Sequence, residues 1–507
     1  MNLSRTTLKD ISAEKVNVPA ESIFNLPEKV LQFGTGVLLR GLPDYYIDKA
    51  NKQGIFNGRV VIVKSTSAGG TDAFQQQDGL FTHCIRGIEN DKKVEENILN
   101  SSVSRVISAN ENWEQVLECA GNPDLEIIVS NTTEVGISLK ADDNIQSTPP
   151  VSFPGKLLSF LYKRFQLFKG DASRGMVIIP TELIIDNGKK LEAIVLELAH
   201  LNSVDPLFMD WLENHNHFCS SLVDRIVPGK LSTAEKERVE TELGYKDDLM
   251  IMSETYSLWA IEACHPTVKE KLTFAKTDSG VVIAEDISKF RELKLRLLNG
   301  THTFSCGLAF LAGFTTVKEA LENEEMAAYV KQLMTGEIAP AIPYQIEEAD
   351  ATDFCNKVMD RFRNPFIEHK WLAITVQYSS KMRLRNVPLL LEHYKKSTDV
   401  PKLMALGFAA HVLFMKCEAE EGKFYGTFNG SKYEVQDDNA TLYAGYWSQS
   451  EGQQVVNQVL ADSSLWGENL NDLTGFAEAV AHHLQALQSR EVIEIIKEAQ
   501  FEKQLVN

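Results

Sequence analysis

Lys29-Val30-Leu31-Gln32-Phe33-Gly34-Thr35-Gly36-Val37-Leu38-Leu39-Arg40-Gly41 sets the architecture of the first half of the chain. Its opening residues form a short apolar run that predicts a buried strand. The two glycines predict a turn, and the residues from Pro43 to Ala50 predict a helix. Strand, glycine turn and helix together make the frame that a dinucleotide needs. Small residues let a pyrophosphate approach backbone N–H groups at a helix N-terminus. Leu39 stands where the usual G-x-G-x-x-G has its third glycine, and Arg40 is a candidate charge contact to phosphate. The loop by itself fits a ligand-free glycine turn equally well.

The next apolar run, Arg59-Val-Val-Ile-Val63, completes a β-α-β unit. At its end an NAD site commonly offers Asp or Glu to the ribose hydroxyls. This chain has Lys64-Ser-Thr-Ser67 there, which on chemistry alone admits NADP. Further strands are expected over 125–130 and 175–180. The first ends in Asn131-Thr132-Thr133-Glu134, polar residues where open α/β sheets bind ligands. Helical periodicity covers 154–168, 191–201, 206–217 and 233–243. Strands alternating with helices predict a parallel, doubly wound sheet.

Near residue 285 the β-branched runs stop. Amphipathic helical patterns follow over 305–314, 317–333, 372–381, 402–416 and 476–504, with 422–438 as a loop or small hairpin. The expected fold is α/β: a Rossmann-like domain over 1–284, then a mostly α-helical domain over 285–507. A chain of 507 residues is too long for one core, which agrees with two domains.

The net charge of −19 argues against a nucleic-acid or anionic-membrane surface. It leaves room for a basic pocket that takes a small acid. Seven scattered cysteines with no CxxC pair suggest neither a disulfide framework nor a zinc ribbon, and no metal is expected. The start has no apolar core of signal-peptide type, and no run of about 18 apolar residues occurs. The expected location is the cytoplasm.

Chemistry points to a second stretch, Lys294-Leu-Arg-Leu-Leu-Asn299-Gly-Thr-His302. On an α-helix at about 100° per residue, Lys294, Asn299 and His302 fall at roughly 0°, 140° and 80°. One cation, one amide and one imidazole then share a side with Leu295 and Leu298. A lysine held among leucines loses hydration of its charged form and can exchange a proton at cellular pH. An amide and an imidazole close by can hold the oxygen whose proton moves. A solvated lysine on an amphipathic helix, followed by an Asn-Gly turn, fits the same spacing.

Two more features stand out. Phe218-Cys-Ser-Ser-Leu-Val-Asp224-Arg225-Ile-Val-Pro228 joins a carboxylate to a guanidinium, which a local ion pair would also explain. Arg361-Phe-Arg363-Asn-Pro-Phe366 and Lys381-Met-Arg383-Leu-Arg385 concentrate basic residues on neighbouring helices. Some of these cations could hold a substrate carboxylate by charge-assisted hydrogen bonds.

Taken in order, five blocks resemble the mannitol dehydrogenase family of polyol-specific long-chain dehydrogenases. They are Val30-Leu-Gln-Phe-Gly-Thr-Gly36, Ser130-Asn-Thr-Thr-Glu-Val-Gly-Ile137, Glu182-Leu-Ile184, Phe218 to Val227 and Arg361 to Ile367, with Lys-x4-Asn-Gly-x-His between the last two. The resemblance implies metal-independent, NAD-dependent interconversion of a keto-sugar acid and its alcohol, closest to D-tagaturonate and D-altronate. Fructuronate with mannonate, or mannitol, are the runner-up substrates, and a non-catalytic dinucleotide-binding sensor is a remote one. By resemblance Lys294 is the general acid/base, Asn299 an oxyanion-holding amide and His302 a substrate-binding histidine. Asp224 and Lys381 are substrate contacts, and Val30–Gly41 with Asn131, Thr132 and Glu134 hold the cofactor. Mannitol- and mannonate-specific members of the family carry Cys-Asp-Asn where this chain has Thr181-Glu182-Leu183, a substitution that favours tagaturonate over mannonate. Asn299 would then act more alone, or Asn187 would substitute for the missing amide. The implied partner is a small sugar acid, bound by a monomer or small homo-oligomer.

Overall fold

Six parallel strands form the central sheet of the first unit: β1 (Glu28–Phe33), β2 (Arg59–Lys64), β3 (Val103–Ser108), β4 (Ile127–Ser130), β5 (Val177–Pro180) and β6 (His217–Phe218). Their spatial order is β3-β2-β1-β4-β5-β6, the doubly wound arrangement of dinucleotide-binding domains. The computed structural model describes residues 1–65, 70–132 and 136–501. The chain divides into one unit of Met1–Arg86 with Lys93–Ile287, and a second that begins at Ser288 and includes Gly87–Lys92.

Both faces of the sheet are covered, which explains why its strands are continuous apolar runs. Leu31, Phe33, Val61, Val63, Ile128 and Ile178 face one core, under the helices Phe153–Phe168, Asn187–Leu201 and Pro206–His215. Val30, Val60, Ile62, Ile127, Val129, Val177 and Ile179 face the other, against Tyr46, Ile47 and Ala50 of the helix Pro43–Lys52. The strand order reverses between β1 and β4. Gly34 follows the first of these strands and Asn131 the second, so both lie at the carboxyl ends where such sheets bind ligands.

Alternating strands and helices did not foretell two smaller sheets in this unit. One joins Ile251–Ser253, Phe81–Glu89 and Lys92–Asn100. The other joins Ser221–Asp224 antiparallel to Leu258–Glu262, which runs parallel to Val281–Ala284. Lys92–Asn100 is largely polar and partly exposed, so it lacked the apolar run that marked the strands of the main sheet.

The second unit is built of helices around Lys402–Phe414, buried from Leu403 on. This helix packs on Thr301–Leu311 and Phe476–Ser489. A Cβ on Gly407 would lie 2.8 Å from the Phe304 carbonyl oxygen, so glycine there permits the close crossing that seats the helix after His302. Three expected long helices are broken. Over 317–333 the break is at Asn323, whose side chain accepts from the Met326 N–H at 3.0 Å and starts a new helix. Over 372–381 it is at Gln377, with φ of 55°. Over 476–504 it separates Phe476–Ser489 from Val492–Phe501. Residues 418–434 form a three-stranded antiparallel sheet. No helix among the described residues is long and apolar enough to cross a membrane.

Candidate active site

In the first unit the glycine loop is shaped by backbone. Gly34 has φ of +129°, and a Cβ there would meet Leu39 Cδ1 at 2.9 Å and the Asn131 carbonyl oxygen at 3.0 Å. Conformation and packing both require glycine at this turn. Gly36 differs: its φ is −61° and an added Cβ would meet nothing within 4 Å. Neither folding nor packing demands a glycine there, but the close approach of a pyrophosphate does. The loop therefore fits a dinucleotide. Its accessible part is Gly34, Thr35, Gly36, Val37 and Leu38, while Leu39, Arg40 and Gly41 are buried.

Several expected contacts need correction. Val30, Leu31 and Phe33 are fully buried core residues. Gln32 is buried too, donating from Nε2 to the Gly34 carbonyl at 3.3 Å and to Asp44 at 3.4 Å. These four side chains shape the loop from below and cannot touch a ligand above it. Arg40 also turns inward. Its guanidinium donates to the Leu249 carbonyl and lies over the Phe74 and Phe81 rings, which leaves no charge for a phosphate. The aromatic rings and the buried carbonyl offer it a better-satisfied place than the loop surface.

At the end of β4, Asn131 Nδ2 donates to the Thr181 carbonyl and hydroxyl, both at 3.0 Å. The buried Glu182 carboxylate accepts from the Thr132 N–H at 2.8 Å, from its hydroxyl at 2.9 Å and from the Ser130 hydroxyl at 3.2 Å. Asn131 and Thr132 are thus fastened to the end of β5, and Glu182 is a positioning residue. Glu134, with residues 133–135, lies outside the described residues, as do residues 66–69 at the end of β2. Lys64 just before them is buried.

Asn187 cannot replace the missing oxyanion amide. It is fully buried and donates to the carbonyls of Pro180, Glu182 and Ser221, while accepting from the Ser221 and Gly188 N–H groups. Leu183 stands 62 % exposed. Asp224 ends its short strand and is buried. Arg225 beside it donates to the carbonyls of Glu254, at 2.9 and 3.1 Å, and Gly41, at 2.8 Å.

The second unit presents side chains. Residues 288–311 run as one helix whose middle, Leu293–Gly300, is a π-helix. A π turn closes i→i+5 hydrogen bonds and brings residues five apart onto one face. Lys294 and Asn299 are five apart, so the wheel drawn for an α-helix spread them too widely. Both are partly buried, and His302 is buried in the α-helical turn that follows.

His302 stacks on Phe362 with ring centroids 4.1 Å apart and meets His369 edge-on at 5.1 Å. Its Nε2 is buried with no hydrogen-bond partner among the described residues. Burial, then the nearby His369, Arg361, Arg385 and Lys381, holds this imidazole well below its usual range, so it stays neutral. A neutral imidazole can donate one N–H and carries no charge to repel a cation. Sequence reasoning missed His369, which no motif marked, and left Arg385 as one cation among several.

The chain matches the mannitol dehydrogenase Rossmann domain over residues 28–273 and the mannitol dehydrogenase C-terminal domain over residues 286–488. It is 36 % identical to an altronate oxidoreductase of Bacillus subtilis over 462 residues, covering 90 % of this chain and 92 % of that protein. The chain belongs to the mannitol dehydrogenase family. A second altronate oxidoreductase, from Pectobacterium carotovorum, is 37 % identical over 473 residues and 95 % of its length. Among solved structures, the Pseudomonas fluorescens mannitol 2-dehydrogenase in ternary complex with NAD and D-mannitol superposes with a TM-score of 0.68 at 23 % identity. That match covers 98 % of this chain and 99 % of the other. A substrate-free D-sorbitol dehydrogenase gives 0.79 at 19 % identity, covering 98 % of this chain and all of its own. These two show that the mannitol dehydrogenase fold is shared from end to end.

Proposed function

We propose that this protein is an NAD-dependent oxidoreductase that interconverts D-altronate and D-tagaturonate. The observation that carries the reading is the identity of 36–37 % with altronate oxidoreductases over nine-tenths of both chains. The first unit acts as the dinucleotide-binding domain and the second as the substrate domain. The Gly34–Leu38 backbone, with Asn131 and Thr132, holds the cofactor. NAD bound there supplies the hydride acceptor for altronate oxidation, and its reduced form the hydride donor for the reverse reaction.

The proton transfer and charge stabilisation belong to the second unit. In the reducing direction, Lys294 gives a proton to the oxygen of the keto carbon. The Asn299 amide and the His302 Nε2–H donate hydrogen bonds to that oxygen as negative charge grows on it. The buried, unpartnered Nε2 supports this role for His302. Asp224 and Lys381 contact the substrate. The enzyme works in the cytoplasm as a monomer or small homo-oligomer and needs no metal, nucleic acid or membrane.

Steady-state rates with D-tagaturonate, fructuronate and fructose, each with NADH and with NADPH, test the reading. Tagaturonate with NADH should give the highest kcat/KM. Faster reduction of fructuronate or fructose would move the substrate assignment, and NADH that binds without being oxidised by any of them would point to a sensor.

A further inference from the structure

Lys381 and Arg385 lie four residues apart, Lys381 just before and Arg385 within another π segment of this unit, Met382–Asn386. They are partly buried, and among the described residues neither has a carboxylate partner. Lys381 Nζ donates to the Ile374 carbonyl at 2.8 Å, and Arg385 Nη1 donates to Thr303 Oγ1 at 3.2 Å. The one carboxylate that acts on Lys381 among the described residues is Asp437, whose oxygens already accept from the N–H and hydroxyl of Ser379 and the Asn439 N–H. Burial and then Arg385 lower the pKa of Lys381, and burial lowers that of Arg385. Two like charges are therefore held together, partly desolvated, with no carboxylate among the described residues bonded to either. That arrangement opposes folding unless an anion is meant to complete it.

Its position names the anion. Thr303, which receives the Arg385 hydrogen bond, follows His302 directly and donates to the Asn299 carbonyl at 2.7 Å. Arg385 is thus joined by one hydroxyl to the turn that carries Asn299 and His302. We infer that Arg385, paired with Lys381, binds the carboxylate of the sugar acid and makes the site prefer acids over neutral ketoses. The inference rests on the proposed tagaturonate activity. A guanidinium offers a planar fork matching both carboxylate oxygens, and Lys381 adds a point charge.

D-Tagaturonate and D-tagatose provide the test, since they differ only in whether the terminal carbon is a carboxylate. Arg385→Gln should reduce the ratio of kcat/KM for tagaturonate over tagatose by roughly 10- to 100-fold, the worth of hydrogen bonds to a charged group. Most of the change should appear in KM for the acid, and Arg385→Lys should recover part of it. An unchanged ratio with an active wild type overturns the inference and leaves the function standing. A wild type inactive on tagaturonate overturns both. Should Arg385→Gln fail to fold, phenylglyoxal labelling of the wild type, read by peptide mass spectrometry, decides the matter. Tagaturonate should protect Arg385 and tagatose should not, and equal protection or none overturns the inference.

Discussion

The glycine loop and the π turn solve the same problem with opposite means. In the first unit, the loop presents backbone, and nearly every side chain around it is turned into the core or tied to a neighbour. In the second, a helix leaves its usual period over Leu293–Gly300 and presents side chains, including a buried ring nitrogen with no partner among the described residues. A cofactor pyrophosphate is the same in every reaction, so fixed N–H groups suffice to hold it. Proton transfer and charge stabilisation need particular functional groups at particular places, and only side chains supply those. The two regions should therefore fail in different ways.

The largest separation comes from Lys294→Ala. Turnover should fall by about 10²–10⁴-fold, while the NADH dissociation constant from fluorescence titration changes little. Near-normal turnover removes Lys294 as the acid/base. The loop should behave in the reverse sense. Gly34→Ala forces a side chain into a left-handed conformation against Leu39 and the Asn131 carbonyl, and should cost about 1–3 kcal/mol of stability in denaturant titration. Gly36→Val meets no such obstacle. Its melting temperature should hold while NADH binding weakens by about tenfold or more. If Gly36→Val binds NADH normally, the loop is a turn and nothing else.

Acid sharpens the contrast. Burial keeps His302 far below its unfolded value of about 6.5 and His411, also in the second unit, near about 3. Their unfolded forms take up protons that the folded forms refuse. Stability is thus lost as pH falls below about 6.5, by up to about 1.4 kcal/mol per histidine per pH unit. His83 does the same in the first unit. There it is opposed by Asp44, whose buried carboxyl is pushed up to about 7 and gains a proton on folding as pH falls. Between about pH 6.5 and 5, hydrogen exchange should therefore quicken in the second unit before the first. Equal onset in both would contradict these protonation states. The smallest effect is expected at Leu183. At 62 % exposed, Leu183→Ala should shift stability by no more than about 0.5 kcal/mol.

Much of this was legible in the chain. Val30–Phe33 and Arg59–Val63 read as strands because a sheet buried on both faces demands unbroken apolar runs. The helices covering it read equally well from their periodicity. Less legible were the two small mixed sheets, where a strand such as the polar, partly exposed Lys92–Asn100 carries no such signal, and the helix breaks at Asn323 and Gln377, which depend on one cap and one left-handed residue. Spacing grouped Lys294, Asn299 and His302 on one side, but through a wheel with the wrong period for Leu293–Gly300. The burial of Arg40 and Asn187 was invisible, since a polar residue gives no sign of whether its partners lie inside the fold.

What the sequence determined alone was local: where apolar runs begin, where glycine interrupts them, and which groups with proton chemistry lie within a turn or two of each other. Those properties follow from neighbours along the chain. Tertiary structure decided which polar groups were already satisfied. It gave Asn187 and Arg40 partners from other segments and left His302 Nε2 with none among the described residues, and it drew Arg385 to within one hydroxyl of the turn bearing His302. Hydrogen bonds and desolvation depend on what arrives from elsewhere in space, so only the folded chain could sort the residues that support the site from those free to act in it.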